Sequence, residues 1–228
     1  MFVLGFEKKA ILFWLLVLAE LAGTTLNIQW VHYTVKPLLM PALLLLLTQS
    51  SINAPGKKMI GAGLVFSWFG DVFLLFEGSN PLYFICGLAS FLLTHICYIV
   101  YFLSRRGKTV SGLSKNPIII LLVIAYGAGL FIFLFPHLVS LKIPVLIYAV
   151  VICTMLLCSV NIYPKVNAPS NKLYLAGALL FVLSDSLLAI NKFYQPILLG
   201  HTFVMLTYCL AQYAIVSGYI KEHRVSIQ

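Results

Sequence analysis

The polar positions of this chain are gathered into short connections, and between them lie eight apolar runs at about residues 10–27, 34–50, 59–77, 82–103, 117–136, 143–162, 173–191 and 197–219. A helix needs about 20 mostly apolar residues, with a range of about 17 to 25, to cross the hydrocarbon of a bilayer. The pattern therefore predicts an all-α polytopic membrane protein, residues 1–228 forming one bundle of eight transmembrane helices. The connections carry turn formers such as Asn53-Ala54-Pro55-Gly56, Gly78-Ser79-Asn80-Pro81 and Asn167-Ala168-Pro169-Ser170. None is long enough to fold into a soluble domain, so any chemistry belongs inside the bundle.

Where the apolar runs are broken, they are broken by carboxylates. The stretch 173–193, LYLAGALLFVLSDSLLAINKF, holds Asp185 and closes with Lys192, seven residues and about two helical turns further on the same face. The stretch 61–76, GAGLVFSWFGDVFLLF, is apolar apart from Ser67 and Asp71, and Glu20 interrupts the first run. An aspartate near the middle of a spanning helix costs about 2.5–3.5 kcal/mol on insertion scales, so it needs a polar partner or a task. GLVFSWFGDVFLL (63–75) and GALLFVLSDSLLA (177–189) both set a glycine eight residues ahead of the aspartate, with Pro81 and Pro196 at similar distances beyond. That likeness suggests two equivalent four-helix halves.

Composition agrees and adds an orientation. The 228 residues are 61% hydrophobic and 9% charged, with a mean hydropathy of +1.02, outside the range of soluble domains. The formal charge of +9 is not a nucleic-acid surface, because the basic residues are scattered over the connections. All but Lys36, Lys142 and Lys192 of the 15 lysines and arginines fall on one side, which places both termini in the cytoplasm. The apolar run after Lys8 and Lys9 has the build of a secretory signal, yet Glu20 interrupts it, and it reads as a first transmembrane helix.

In that orientation Glu20, Asp71 and Asp185 fall in the outer half of the membrane, with Lys36 and Lys192 at the same rim. His201, Met205, Tyr208 and Gln212 form one stripe of the last helix, while Thr94, His95, Tyr98 and Tyr101 add polar groups nearer the middle. The implied feature is a polar cavity that opens toward the non-cytoplasmic leaflet. Five cysteines inside apolar runs read as small hydrophobic residues, and five histidines without helical pairing make no zinc motif, so neither a metal nor a cofactor is expected.

Two carboxylates in an apolar cavity are equipment for acid and base work: the setting keeps one protonated, and a nearby cation such as Lys192 keeps the other ionised. Lys36 and Lys192 can hold a lipid phosphate. Each residue also has a structural reading. Asp185 with Lys192 can be an ion pair, Asp71 a helix contact, Glu20 the cap of a polar network, His95 a satisfied core histidine, and the lysines can snorkel.

Taken together, Phe66-Ser67-x-x-Gly70-Asp71, Gly87-x-x-x-Phe91-x-x-x-His95-x-x-Tyr98, Ser184-Asp185 with Asn191-Lys192-Phe193, Tyr208-x-x-Ala211-Gln212 and Lys36-Pro37 resemble the YhhN family, the lysoplasmalogenases that include the TMEM86 proteins. The resemblance covers nearly the whole chain and implies hydrolysis of the vinyl ether of a lysoplasmalogen to a fatty aldehyde and glycerophosphoethanolamine or glycerophosphocholine. It implies Asp71 and Asp185 as the catalytic pair, with the acid unassigned. Substrate contacts are then expected from Glu20, Lys36, His95, Tyr98, Asn191, Lys192, His201, Tyr208 and Gln212, and the partners are the lysophospholipid and membrane lipids, with no nucleic acid. A transporter or lipid receptor using the same cavity is the rival reading; an intramembrane aspartyl protease is disfavoured because Trp68 stands where a GxGD motif needs its first glycine. Compact loops fit a bacterial inner membrane better than the endoplasmic reticulum.

Overall fold

The computed structural model of the chain describes residues 2–50, 54–105 and 112–224, with side chains from Ala10 onward. Asn53, in the first of the expected connections, lies outside the described residues, as do Arg106, Gly107 and Lys108 between the fourth and fifth apolar runs. Eight long helices follow one another: α1 (Phe2–Thr25), α2 (Gln29–Thr48), α3 (Lys57–Leu75), α4 (Pro81–Ser104), α5 (Ile118–Leu134), α6 (Lys142–Ile162), α7 (Ser170–Ala189) and α8 (Gly200–Arg224). Between α4 and α5 there is a short helix, Gly112–Lys115, and no strand occurs among the described residues. Seven helices, α2 to α8, are long and apolar enough to cross a membrane, and the chain is a multi-pass membrane protein. The described side chains of α1 begin at Ala10, and among the described residues seven of the eight long helices meet both the length and the hydropathy of a span.

Helix contacts group into two compact units, one holding α1 to α3 and α4 as far as Tyr98, the other running from Ile99 to Glu222. In the first unit, α1 turns into α2 within three residues. Asn27 takes the left-handed conformation at φ 56°, which asparagine tolerates better than most residues. Gly23 then lies so close to α2 that a Cβ there would meet Val31 Cγ1 at 2.7 Å. This close turn starts α2 at Gln29 rather than at residue 34, and Lys36 is therefore two turns into the helix instead of at its opening.

The earlier start also puts Pro37 inside α2, alongside Pro41. Pro41 has no N–H to offer the Pro37 carbonyl four residues back, and an unpaired carbonyl is costly where water is scarce. The Trp68 indole of α3 donates to that carbonyl at 2.9 Å. On the other face of α3, glycines admit the large side chains of α4: Phe91 fits over Gly70 and Tyr98 over Gly63, where added Cβ atoms would come to 2.7 and 2.5 Å of the rings. The pairs repeat at seven-residue spacing on both helices, which keeps the two backbones close along two turns.

In the second unit, burial and apolarity run in opposite directions. α5 with the short turn after it, Ile118–His137, is the most apolar span, at mean hydropathy 2.9, and only 11% of it is buried; Gly200–Arg224 has hydropathy 1.5 and is 67% buried. A helix that faces lipid on most sides must be apolar all round, whereas one enclosed by other helices can hold polar groups that find partners there. α7 and α8 approach closely through Gly177 against Ile215 and Gly218 against Tyr174. At their end, Tyr101 and Tyr174 both donate to Glu222 Oε2, at 2.9 and 2.7 Å, and Arg105 Nε donates to Oε1 at 2.8 Å. Tyr101, expected among the polar groups near the middle of its helix, instead belongs to this end-of-helix network.

Candidate active site

The first unit supplies two polar clusters. Because α1 and α2 meet at a tight turn, Glu20 near the end of one helix reaches His32 near the start of the other, with Oε1 and Nδ1 2.5 Å apart. Thr24, one turn beyond Glu20, adds a hydroxyl at 3.4 Å from the same oxygen. Glu20 is fully buried, and its Oε2 makes no hydrogen bond among the described residues. The carboxylate is thus committed to a histidine that the motif reading passed over; the signal for it was its place one turn before Lys36 on α2. Lys36 itself is only 7% exposed and makes no hydrogen bond or ion pair with any described residue.

The second cluster surrounds Asp71 between α3 and α4. Asp71 is 1% exposed, next to Gly70, whose lack of a side chain lets Phe91 close over the backbone. One turn earlier, the Ser67 and Thr94 hydroxyls are 3.0 Å apart, and Thr94 Oγ1 donates to the Gly63 carbonyl at 3.0 Å. His95 and Tyr98, on the same helix as Thr94, are wholly buried. The structure therefore gathers Ser67, Asp71, Thr94 and the glycine-packed ring of Phe91 along one α3–α4 seam.

In the second unit Asp185 faces a narrow pocket of about 60 Å³ lined by residues of α5, α6 and α7, among them Tyr126, Leu130, Tyr148, Ile152, Val182 and Ser186. The Tyr148 hydroxyl of α6 donates to Asp185 Oδ2 at 2.8 Å. Beside it, the Tyr126 and Ser186 hydroxyls are 2.8 Å apart, and Ser186 also donates to the Val182 carbonyl at 2.6 Å. Tyr148 and Tyr126 were not among the expected site residues, because a tyrosine within an apolar run more often marks packing than a task. Ser184 instead ties α7 to α8 by donating to the Val204 carbonyl at 3.0 Å.

After α7 the chain continues through one π-helical turn, Ile190–Tyr194, closed by the Gln195 N–H donating to the Ile190 carbonyl at 3.1 Å. Such turns recur at functional sites. Here the turn carries Asn191 and Lys192. Asn191 Oδ1 accepts from the Ile197 N–H at 2.8 Å and lies against Gly200, so this amide oxygen shapes the α7–α8 connection. Lys192 and His201 are exposed. Tyr208 and Gln212 are buried on α8, Tyr208 edge-on to Phe181 with ring centres 6.0 Å apart. The expected stripe on α8 thus divides, His201 at the exposed end and Met205, Tyr208 and Gln212 inside. Among the described residues, no three His, Cys, Asp or Glu side chains gather as they would around a metal ion.

Comparison with known proteins places these residues in a wider group. The sequence profile of the YhhN family matches residues 31–219, a stretch that contains His32, Lys36, Asp71, Tyr148 and Asp185 and leaves out Glu20. The chain is 31% identical over 176 residues to Lysoplasmalogenase TMEM86A of Bos taurus, an overlap of 75% of this chain and 69% of that protein. It is 26% identical over 202 residues to Lysoplasmalogenase of Mycobacterium bovis, covering 82% and 71%. It is 27% identical over 170 residues to Uncharacterized membrane protein YhhN of Escherichia coli O157:H7, covering 74% and 76%. No solved structure is a significant match.

Proposed function

The chain belongs to the YhhN family, and from that membership we propose that it is a lysoplasmalogenase, an intramembrane hydrolase that cuts the vinyl ether of a lysoplasmalogen. The products are a fatty aldehyde and glycerophosphoethanolamine or glycerophosphocholine. The single observation that carries this reading is the setting of Asp185: a carboxylate that accepts the Tyr148 hydroxyl at 2.8 Å in a narrow pocket within apolar helices. It is supported by relatives named lysoplasmalogenase from a mammal and a bacterium.

A vinyl ether is cut by adding one proton and one water. A carboxylic acid protonates the β-carbon and leaves an oxocarbenium ion; water then adds to the carbon bearing the ether oxygen while a carboxylate takes its proton. The resulting hemiacetal breaks into the aldehyde and the free glycerol hydroxyl, and the protons balance. The same division of labour between two carboxyls serves glycosidases, whose transition state has this oxocarbenium character. Asp71 and Asp185 are the two carboxyls of the proposal. Tyr148 donates to Asp185 and orients that carboxyl toward the pocket, and the two aspartates divide the roles of acid and base between them.

The ammonium groups of Lys36 and Lys192 meet the phosphate, with Glu20 holding His32 in place one turn from Lys36. His95, Tyr98, Tyr208 and Gln212 brace the carboxylates, and His201 and Asn191 contribute at the α7–α8 connection. With α1 crossing as the eighth span, the distribution of lysine and arginine favours both termini in the cytoplasm, and the compact loops suit a bacterial inner membrane.

Asp71→Asn and Asp185→Asn test the pair. Each lowers aldehyde release by at least about a hundredfold, the range for losing a general acid or base, while the purified protein keeps its helix content and melting profile. Turnover unchanged in both variants would falsify the proposed pair. A second reading, lipid transport or binding without cleavage, draws on the interruptions of α2 at Pro37 and Pro41 and of α7 at Ile190–Tyr194. It predicts movement of an intact lysolipid between leaflets and no aldehyde.

A further inference from the structure

The Asp185 pocket, at about 60 Å³, has room for the reacting carbons and water but not for the hydrocarbon tail of a lipid. A much larger space lies beside it. Between α5 and α6 runs an apolar groove of about 500 Å³, within the range of sites that bury a drug-sized ligand. Gly127, Phe131, Ala149 and Cys153 line both spaces, so the inner side of the groove is the outer side of the pocket. α5 and α6 come together closely at Gly127, where an added Cβ would come to 2.7 Å from Cys153 Sγ.

The groove's polar groups are already occupied. Thr154 Oγ1 donates to the Val150 carbonyl at 2.7 Å, and Cys153 Sγ turns to the Val123 carbonyl at 3.8 Å. With both donors engaged, a hydrocarbon in the groove leaves neither unpaired. The rim faces outward from the helices: Ile132, on the least buried of the seven spans, is 70% exposed, and Val150 of α6 is 58% exposed. Along α6 the groove extends from Leu146 to Leu157, roughly 17 Å of helix rise. Leu157 and Ile124 line the groove without lining the pocket, and they mark its distal end.

We propose that the α5–α6 groove is the berth of the substrate's single hydrocarbon chain, entered sideways from the bilayer, with the chain's first carbons at Asp185 and its tail toward Leu157 and Ile124. The inference deepens the lysoplasmalogenase reading and rests on it for the identity of the lipid. A lysolipid already has its chain in the hydrocarbon layer, so lateral entry avoids taking apolar surface through water. One cleft for one chain also favours a lysolipid over a two-chain phospholipid.

The test uses the full chain in nanodiscs of diacyl phosphatidylcholine and an uncleavable alkyl-ether lysophospholipid with a diazirine at its tail. Photolabelling followed by peptide mapping is expected to mark the segments around Leu157 and Ile124. Ala128→Trp fills the groove and lowers that labelling, and raises KM for a long-chain lysoplasmalogen, each about tenfold or more. Gly129→Trp, at a position with open space around it and outside the groove, leaves both unchanged. Label spread evenly over the spans, or displaced equally by added diacyl lipid, overturns the groove, since that is the behaviour of bulk lipid. Labelling as expected without aldehyde release keeps the groove and removes only the activity. Aldehyde release with the label elsewhere keeps the activity and removes the groove.

Discussion

Tyr148 and Asp185 show how much of the chemistry depends on a single donor. A hydroxyl at 2.8 Å from Oδ2 keeps the carboxylate oriented toward the pocket, and within apolar helices such a bond has little competition from water. Tyr148→Phe removes the donor and keeps the ring. It is expected to lower kcat by about tenfold with KM little changed, the signature of an interaction used in the transition state; a rise in KM alone would make Tyr148 a packing residue. Asp71, Asp185, Lys36 and Glu20 were legible in the sequence because a charge in an apolar run is costly and therefore conspicuous. Tyr148, Tyr126 and His32 were not, since amphipathic side chains sit cheaply in such runs and only folding reveals their partners: Tyr148 meets a residue 37 positions later and His32 one 12 positions earlier.

At the scale of helices, position along the helix matters as much as identity. α2 begins at Gln29 because the α1–α2 turn is closed by Asn27 and Gly23, and this moves Lys36 and Pro37 into the helix interior with Pro41. The Trp68 bond to the Pro37 carbonyl repairs the break that follows. Trp68→Phe leaves that carbonyl unpaired and is expected to cost about 1–3 kcal/mol, read as a lowered midpoint in detergent-monitored unfolding, with activity falling because Lys36 adjoins the break. An unchanged midpoint would mean that another group satisfies the carbonyl. The apolar pattern located each helix to within a few residues at most ends. It fell short at the starts of α1 and α2 and at the end of α8, because polar residues such as Lys8, His32 and Arg224 look like connection residues although the helix runs through them.

For the whole molecule, the sequence showed a polytopic all-helical protein because lipid imposes long apolar runs. It did not show which runs face lipid; that follows from burial, which is least for Ile118–His137 and greatest for Gly200–Arg224. The peripheral helix borders the groove beside Asp185, and the enclosed one carries Tyr208 and Gln212. Family membership and the named relatives then direct the buried carboxylates toward a vinyl ether. Turnover of a lysoplasmalogen by the purified protein in deuterium oxide, with the aldehyde trapped as it forms, tests this most directly. Protonation of the β-carbon by a protein acid places one deuterium on the carbon next to the carbonyl of every product molecule. Aldehyde without deuterium at that carbon, or a fatty acid in its place, would contradict acid-initiated cleavage of the vinyl ether.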